Sequence, residues 1–177
     1  MIGNVLSAIA RQDSLRAGVV ALLLVTAHVT SASPLPTTLN GAILLKLLAF
    51  EDGLKRKSEI SILVVNDDAL AANLRQKLGA KVGRGKLVAV HANSLPEGVN
   101  ADVIYLNGER QLHSITDYAR KHGALTVGND LALAHRGVAL ILFDDEGLPG
   151  VTISMKPSKA LGLKWDPKVL EISQLIY

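Results

Sequence analysis

The chain has no cysteine among its 177 residues, which excludes disulfides, thiolate metal sites and cysteine nucleophiles together. Aromatic residues amount to 3%, too few for the ring platforms on which single-stranded nucleic acids stack. A concentrated basic stripe is also missing. The formal charge is +3 and the pI about 9.2, but the lysines and arginines are scattered between acidic residues, and the one dense cluster is Lys55 to Lys57. A nucleic-acid footprint needs clustered charge, so no nucleic-acid partner is expected, and Lys55 to Lys57 reads as a solvated loop after a helix.

What is present is aliphatic. Hydrophobic residues make up 49% of the chain, mostly Leu, Ala, Val and Ile, and this length and composition suit one well-buried domain rather than two.

The first 33 residues read differently from the rest. Arg11 and Arg16 precede an apolar run from Ala17 to Val29, broken by Thr26 and His28, and small residues follow at Thr30, Ser31, Ala32 and Ser33. Charged, apolar and small residues in that order are the pattern of a secretory signal peptide, placed here at residues 1–32 with cleavage after Ser31 or Ala32. The run is short for a bilayer span. An uncleaved anchor and a buried first helix of a cytosolic protein are the alternatives. Residues 33–38, with Pro34 and Pro36, read as a linker, and residues 39–177 as a single domain.

Within that domain strands alternate with helices. A capped helix is expected from Leu39 to about Gly53, with Thr37 and Thr38 offering the cap. Ile60–Val65 is the first strand, followed by a helix capped by Asp67 or Asp68. Lys86–His91 and Asp102–Leu106 are further strands, and a helix runs from Arg110 to His122. Val138–Phe143 is a continuous apolar run, as expected of a strand covered on both faces. The turn cluster Asp144–Gly150 then leads into the alternating Val151–Met155, a hairpin. A last helix starts at Asp166 and Pro167 and uses Val169, Leu170, Ile172, Leu175 and Ile176 for packing. The predicted architecture is a three-layer α/β/α sandwich with a mixed, mostly parallel sheet and a C-terminal antiparallel hairpin.

No local motif carries catalysis. The glycines Gly79, Gly83 and Gly85 lie between a helix end and a strand start, the reverse of a phosphate-binding fingerprint. His28, His91, His113, His122 and His135 show no metal-ligand spacing. Neither a metal nor a cofactor is expected, and the chain reads as no enzyme. The acidic pair in Ile62–Leu78 resembles the start of a phosphoacceptor receiver domain, as does Lys156–Pro157. However, Asn107 stands where the receiver's acceptor aspartate belongs, which leaves phosphoryl transfer and its Mg²⁺ site without their carboxylate.

In an open α/β sheet ligands bind at the carboxyl ends of the strands. That rule brings Asn66, Asp67, Asn107, Glu109, Gly128, Asn129 and Asp130 together as a polar rim, the candidate ligand- or partner-binding site. Polar residues collect at strand ends in every α/β domain, so the rim is also what a site-free fold produces.

A longer resemblance covers about Leu39 to Ile176. Gly83–Val90, Ala101–Leu106, Leu125–Asp130, Gly137–Phe143, Val151–Met155 and Lys159–Ile172 are similar, in order and spacing, to the YfiR-like family of periplasmic proteins. The resemblance implies secretion to the periplasm and a regulatory role: binding the sensor part of an inner-membrane diguanylate cyclase and holding it inactive, usually as a homodimer. Two departures stand out. Redox control through disulfides is impossible without cysteine, and the family's aromatic-proline motif is replaced by Phe50–Lys57, so a different partner such as a sensor kinase fits as well. The alternatives from the residues alone are a small-molecule binding module using the rim, or a degenerate cytosolic receiver.

Overall fold

The computed structural model describes residues 35–177; the expected signal peptide, and Ser33 and Pro34 of the linker, lie outside them. Helix α1 (Thr37–Leu48) opens the described chain, followed by α2 (Asp52–Arg56), β1 (Glu59–Val65), α3 (Asp68–Arg75), β2 (Lys81–Val82), β3 (Gly85–Ala92), β4 (Val103–Leu106), α4 (Leu112–His122) and β5 (Leu125–Gly128). A 3-10 turn (Leu131–Arg136) leads to β6 (Leu140–Asp145) and β7 (Leu148–Ser154), then α5 (Met155–Ala160), α6 (Pro167–Glu171) and β8 (Gln174–Ile176).

The eight strands form one sheet in the order β2-β3-β1-β4-β5-β6-β7-β8. Five neighbouring pairs are parallel, and β2-β3 and β6-β7 are antiparallel. Strand side chains alternate between faces, and the cores follow suit. Ile62, Val64, Val103, Tyr105, Leu125, Val127, Leu140 and Leu142 face α1 and α3. Leu63, Val65, Ile104, Leu106, Ile141 and Phe143 face α4 and the 3-10 turn. The three-layer, mostly parallel architecture expected from the sequence is the one found, hairpin included.

The central parallel strands β3-β1-β4-β5-β6 repeat the order 2-1-3-4-5 that a receiver requires. The antiparallel β6-β7 hairpin, in which Phe143 pairs with Gly150, counts against that kinship.

Four local expectations are corrected. The first helix does not continue to Gly53: it stops at Leu48, Glu51 takes an extended conformation, and α2 starts anew at Asp52. Neither threonine caps it, since Pro36 occupies the N-cap without a side-chain hydrogen bond. The closing helix ends at Glu171, and Gln174–Ile176 pair in parallel with Thr152–Ser154, because an unpaired β7 edge is satisfied better by backbone hydrogen bonds than by another helical turn. Lys55 and Lys57 belong to no free loop either. Lys57 pairs with Asp102, Lys55 lies 3.7 Å from Asp166, and the backbone here covers the β2-β3 hairpin so closely that Gly83 and Gly85 have no room for a side chain.

Glu51 explains the break in the first helix. It is 4% exposed, and its carboxylate accepts Leu54 N at 2.7 Å and Lys164 N at 3.1 Å. The two segments also exchange backbone bonds, Asp52 N to Lys164 O and Asp166 N to Phe50 O, both 2.8 Å. A continuous helix would carry that carboxylate away from Lys164.

Candidate functional site

Four adjacent parallel strands, β3, β1, β4 and β5, are each followed directly by an asparagine: Asn93, Asn66, Asn107 and Asn129. The fold thus lays a row of amide side chains along the carboxyl edge of the sheet. Asn93 is the member that strand-end reasoning passed over. Its signal was there, because the β3 run ends in Asn as the β1, β4 and β5 runs do.

The row is partly wired to itself. Asn93 Oδ1 accepts Asn66 N at 2.9 Å and Asn93 Nδ2 donates to Asp68 Oδ1 at 3.0 Å. Asn129, 8% exposed, donates from Nδ2 to Asn107 Oδ1 at 2.9 Å. Asn66 Nδ2 is buried and has no partner among the described residues.

Backbone strain gathers at the same place. Asn66, Asn93 and Gln111 have φ of 60°, 60° and 66°, left-handed conformations that cost an ordinary residue roughly 1–2 kcal/mol. Asparagine tolerates them best after glycine, which accounts for two of the three. Such outliers cluster at binding sites more often than chance allows.

Together these loops enclose an open cleft of about 760 Å³, lined by Asn66, Asp68, Asn93, Asn107, Gly108, Glu109, Arg110 and Gln111. An apolar depression of about 270 Å³ shares Asn93 and Gln111 with it and is floored by Leu63, Val65, Ile104 and Ile115. The site therefore offers amide donors and acceptors, charges of both signs, and an apolar recess at one end.

Of the seven rim residues expected from sequence, Asn66, Asn107 and Glu109 line the cleft, and Asn129 supports it through Asn107. The other three serve local structure. Asp67 caps α3 by accepting Leu70 N at 2.9 Å, and Asp130 caps the 3-10 turn by accepting Ala132 N at 2.9 Å. Gly128 is buried in the second core, where an added Cβ would lie 2.8 Å from Leu133 Cδ1. Sequence reasoning also left out Asp68, Arg110 and Gln111.

Glu109 forms an ion pair with Arg136 of the 3-10 turn. The hydrogen bond from Arg136, and then its charge, hold the Glu109 carboxyl below the usual carboxylate range, and Arg136 is raised reciprocally. Both side chains are exposed, so this pair shapes the rim's charge without anchoring the fold.

Among the described residues no three His, Asp or Glu side chains group as metal ligands, and no helix is long and apolar enough to cross a membrane.

A family model described as YfiR/HmsC-like matches residues 37–174. A solved structure, that of a conserved domain protein from Vibrio cholerae O1 biovar El Tor, superposes with a TM-score of 0.50 at 17% identity, covering 80% of this chain. This chain spans 60% of the length of that one, and at this identity the likeness speaks for the fold alone. No curated protein matches the sequence.

Proposed function

Because the chain belongs to the YfiR/HmsC-like family, whose members are known as periplasmic regulators of diguanylate cyclase signalling, we propose that it is a non-enzymatic periplasmic regulator. In this reading it binds and restrains the sensor part of an inner-membrane signalling protein, most directly a diguanylate cyclase. Residues 1–32 act as a cleaved signal peptide, and the domain of residues 39–177 works as a homodimer.

The observation that carries the reading is the family match across nearly all of the folded chain. The asparagine row gives it a docking site. Amide side chains pair with backbone or side-chain groups of a partner, while the recess beside Asn93 and Gln111 takes an apolar anchor, the combination that concentrates binding energy at protein interfaces.

The test is affinity capture from the native envelope with membrane proteins retained. A membrane protein bearing a cyclase or kinase domain, captured by the wild type and lost with Asn107→Ala, is the expected result. A native protein found uncleaved in the cytoplasm would sink the proposal.

A second reading, a small-molecule module using the same rim, is favoured by one observation, the open cleft itself, which brings Asn66, Asn93 and Asn107 together with Asp68, Glu109 and Arg110. A ligand-induced rise in melting temperature abolished by Asn107→Ala or Asn129→Ala would support it. The receiver reading has the strand order in its favour, but with Asn107 at the acceptor position it has no chemistry to perform.

A further inference from the structure

The chain places glycine directly after asparagine twice, at Asn40–Gly41 and at Asn107–Gly108. Glycine in that position leaves its amide nitrogen unshielded by a side chain and free in φ, so the nitrogen can close on the preceding side-chain carbonyl. The fold treats the two pairs in opposite ways. Asn40 is 2% exposed, and Gly41 lies inside α1, where the helix fixes the backbone and engages its amides. Asn107 is the residue after β4, where strand pairing stops, and Gly108 follows it along the wall of the open cleft.

The second pair is open to attack. The Asn107 N–H is held by Val65 O at 3.0 Å, whereas the Gly108 N–H makes no hydrogen bond among the described residues. Gly108 has φ of 79° and nothing within 4 Å of where a Cβ would stand, so its backbone is neither shielded nor packed. Asn129 Nδ2 donates to Asn107 Oδ1 at 2.9 Å, which polarises that carbonyl and is placed to receive the negative charge that attack develops on its oxygen. Asn129 is 8% exposed, so the donor is fixed by its surroundings. The other members of the row, Asn66, Asn93 and Asn129, precede Asp67, Ser94 and Asp130, whose side chains crowd the corresponding approach.

We propose that Asn107–Gly108 is a self-modification site at which the neutral amide of Asn107 becomes a carboxylate, with Asn129 as the positioning residue. Gly108 N attacks Asn107 Cγ and gives up its proton, and the oxyanion of the tetrahedral intermediate forms on Oδ1 against Asn129 Nδ2. The Cγ–Nδ2 bond then breaks, and the nitrogen departs with that proton as ammonia. The cyclic imide left behind takes up one water, which opens it at either carbonyl to give aspartate or isoaspartate. Nothing is oxidised or reduced. The product adds one negative charge to a cleft already lined by Asp68 and Glu109, an irreversible change in the surface offered to a partner.

The experiment holds the purified protein in heavy-oxygen water at mildly alkaline pH and maps its peptides by mass and fragmentation over time. Asn107 should convert to aspartate and isoaspartate carrying one heavy oxygen, at least ~10-fold faster than Asn40 and no slower than in the urea-unfolded chain. Asn129→Ala should slow the folded rate at least ~5-fold, with Asn40 still protected as the sign that the fold is kept. Gly108→Asp retains a residue type that tolerates the left-handed backbone, and its side chain should stop the reaction at Asn107. Conversion that is slower in the folded protein than in the unfolded chain, or that shows no preference for Asn107 over Asn40, overturns the proposal. An Asn129→Ala rate equal to or above that of the wild type overturns it as well. None of these readouts depends on a membrane partner, so failure here leaves the regulatory reading standing, and the reverse holds too.

Discussion

The side-chain amide of Asn129 donates to Asn107 Oδ1 at 2.9 Å, tying the end of β5 to the end of β4 through side chains where the ladder's backbone pairing runs out. Asn129 is almost wholly covered, so deleting its partner strands a buried donor. Asn107→Ala should lower the unfolding free energy by about 1–2 kcal/mol, read from urea denaturation. Asn129→Ala should do the same, and the double variant should cost about 1 kcal/mol less than the sum of the two. Strict additivity would show that the bond contributes nothing.

Tyr105 carries a second buried polar bond, its hydroxyl accepting from Asn40 Nδ2 at 2.8 Å under α1. Burial pushes its pKa up to about 12, with the Asn40 hydrogen bond lowering it in part and the Asp67 charge adding to the rise. The unfolded tyrosine ionises near its ordinary 10.0, so between these values the unfolded state holds fewer protons, and stability falls as pH rises. The contribution is complete below pH 10 and is lost through pH 12. Relative to Tyr105→Phe, the wild type should therefore lose about 3 kcal/mol across that window, measured as the difference between two denaturation series. A difference that stays flat with pH would contradict the buried, neutral phenol.

The Glu109 carboxyl, exposed at the rim, is held below the usual carboxylate range by the hydrogen bond from Arg136 and then by its charge. The interaction is thus present above the ordinary glutamate range and disappears as pH falls through the lowered value. In Arg136→Gln the Glu109 carboxyl should titrate in its ordinary range, followed by carbon NMR. If Glu109 faces a charged partner, Glu109→Gln should alter the salt dependence and association rate of capture more than the dissociation rate. An unchanged titration in Arg136→Gln would show that the pair does not persist in solution.

How far the sequence showed all this depends on the range of the interaction. Val64, Ile104 and Leu140 lie in apolar runs whose meaning is local, so the central strands were readable to within a residue or two. The break after Leu48 was not, because the residue that stabilises it, Glu51, finds its acceptor role 113 positions away at Lys164. Leu175 and Ile176 continue the helical spacing of Val169 and Ile172, and only the vacant edge of β7 turns them into a strand. At the site, Asn66 and Asn107 were legible as strand ends. Their connection to Asn93 and Asn129 depends on sheet order, which no single strand encodes. Asp67 and Asp130 were named for the rim, but their local capping bonds account for both.

Glu51 gives a third stability prediction. Glu51→Ala removes the acceptor of both Leu54 N and Lys164 N and should cost about 2–4 kcal/mol. The loss should centre on the contact between the first helices and Lys164–Asp166, seen as faster hydrogen exchange at the Lys164 and Asp166 amides than at those of β1. Glu51→Gln keeps an acceptor oxygen and should recover part of the loss. Equal losses in the two variants would mean that the carboxylate's hydrogen bonds are not what holds the segment.

Gly85 tests whether the chain around Lys57 is packed or merely adjacent. It opens β3 without a left-handed backbone, so conformation alone does not demand glycine there. The requirement is space: an added Cβ would collide with the carbonyl oxygen of Lys57 and come within 2.5 Å of that of Ser58. Both are backbone atoms. The Ser58 carbonyl also accepts Lys86 N at 3.1 Å, so neither can withdraw by changing a rotamer, and the hairpin must separate from the segment after α2. Gly85→Ala should therefore destabilise by about 1–3 kcal/mol, as overpacking of a close contact does. Alanine is also the better strand residue on intrinsic grounds, so propensity alone predicts the opposite sign. Gly98→Ala makes a useful contrast, since Gly98 has φ of 74° and nothing within 4 Å of its added Cβ. There the cost is conformational only, about 1 kcal/mol. Gly85→Ala at or above wild-type stability would show that Lys57 and Ser58 do not rest on the β2-β3 hairpin.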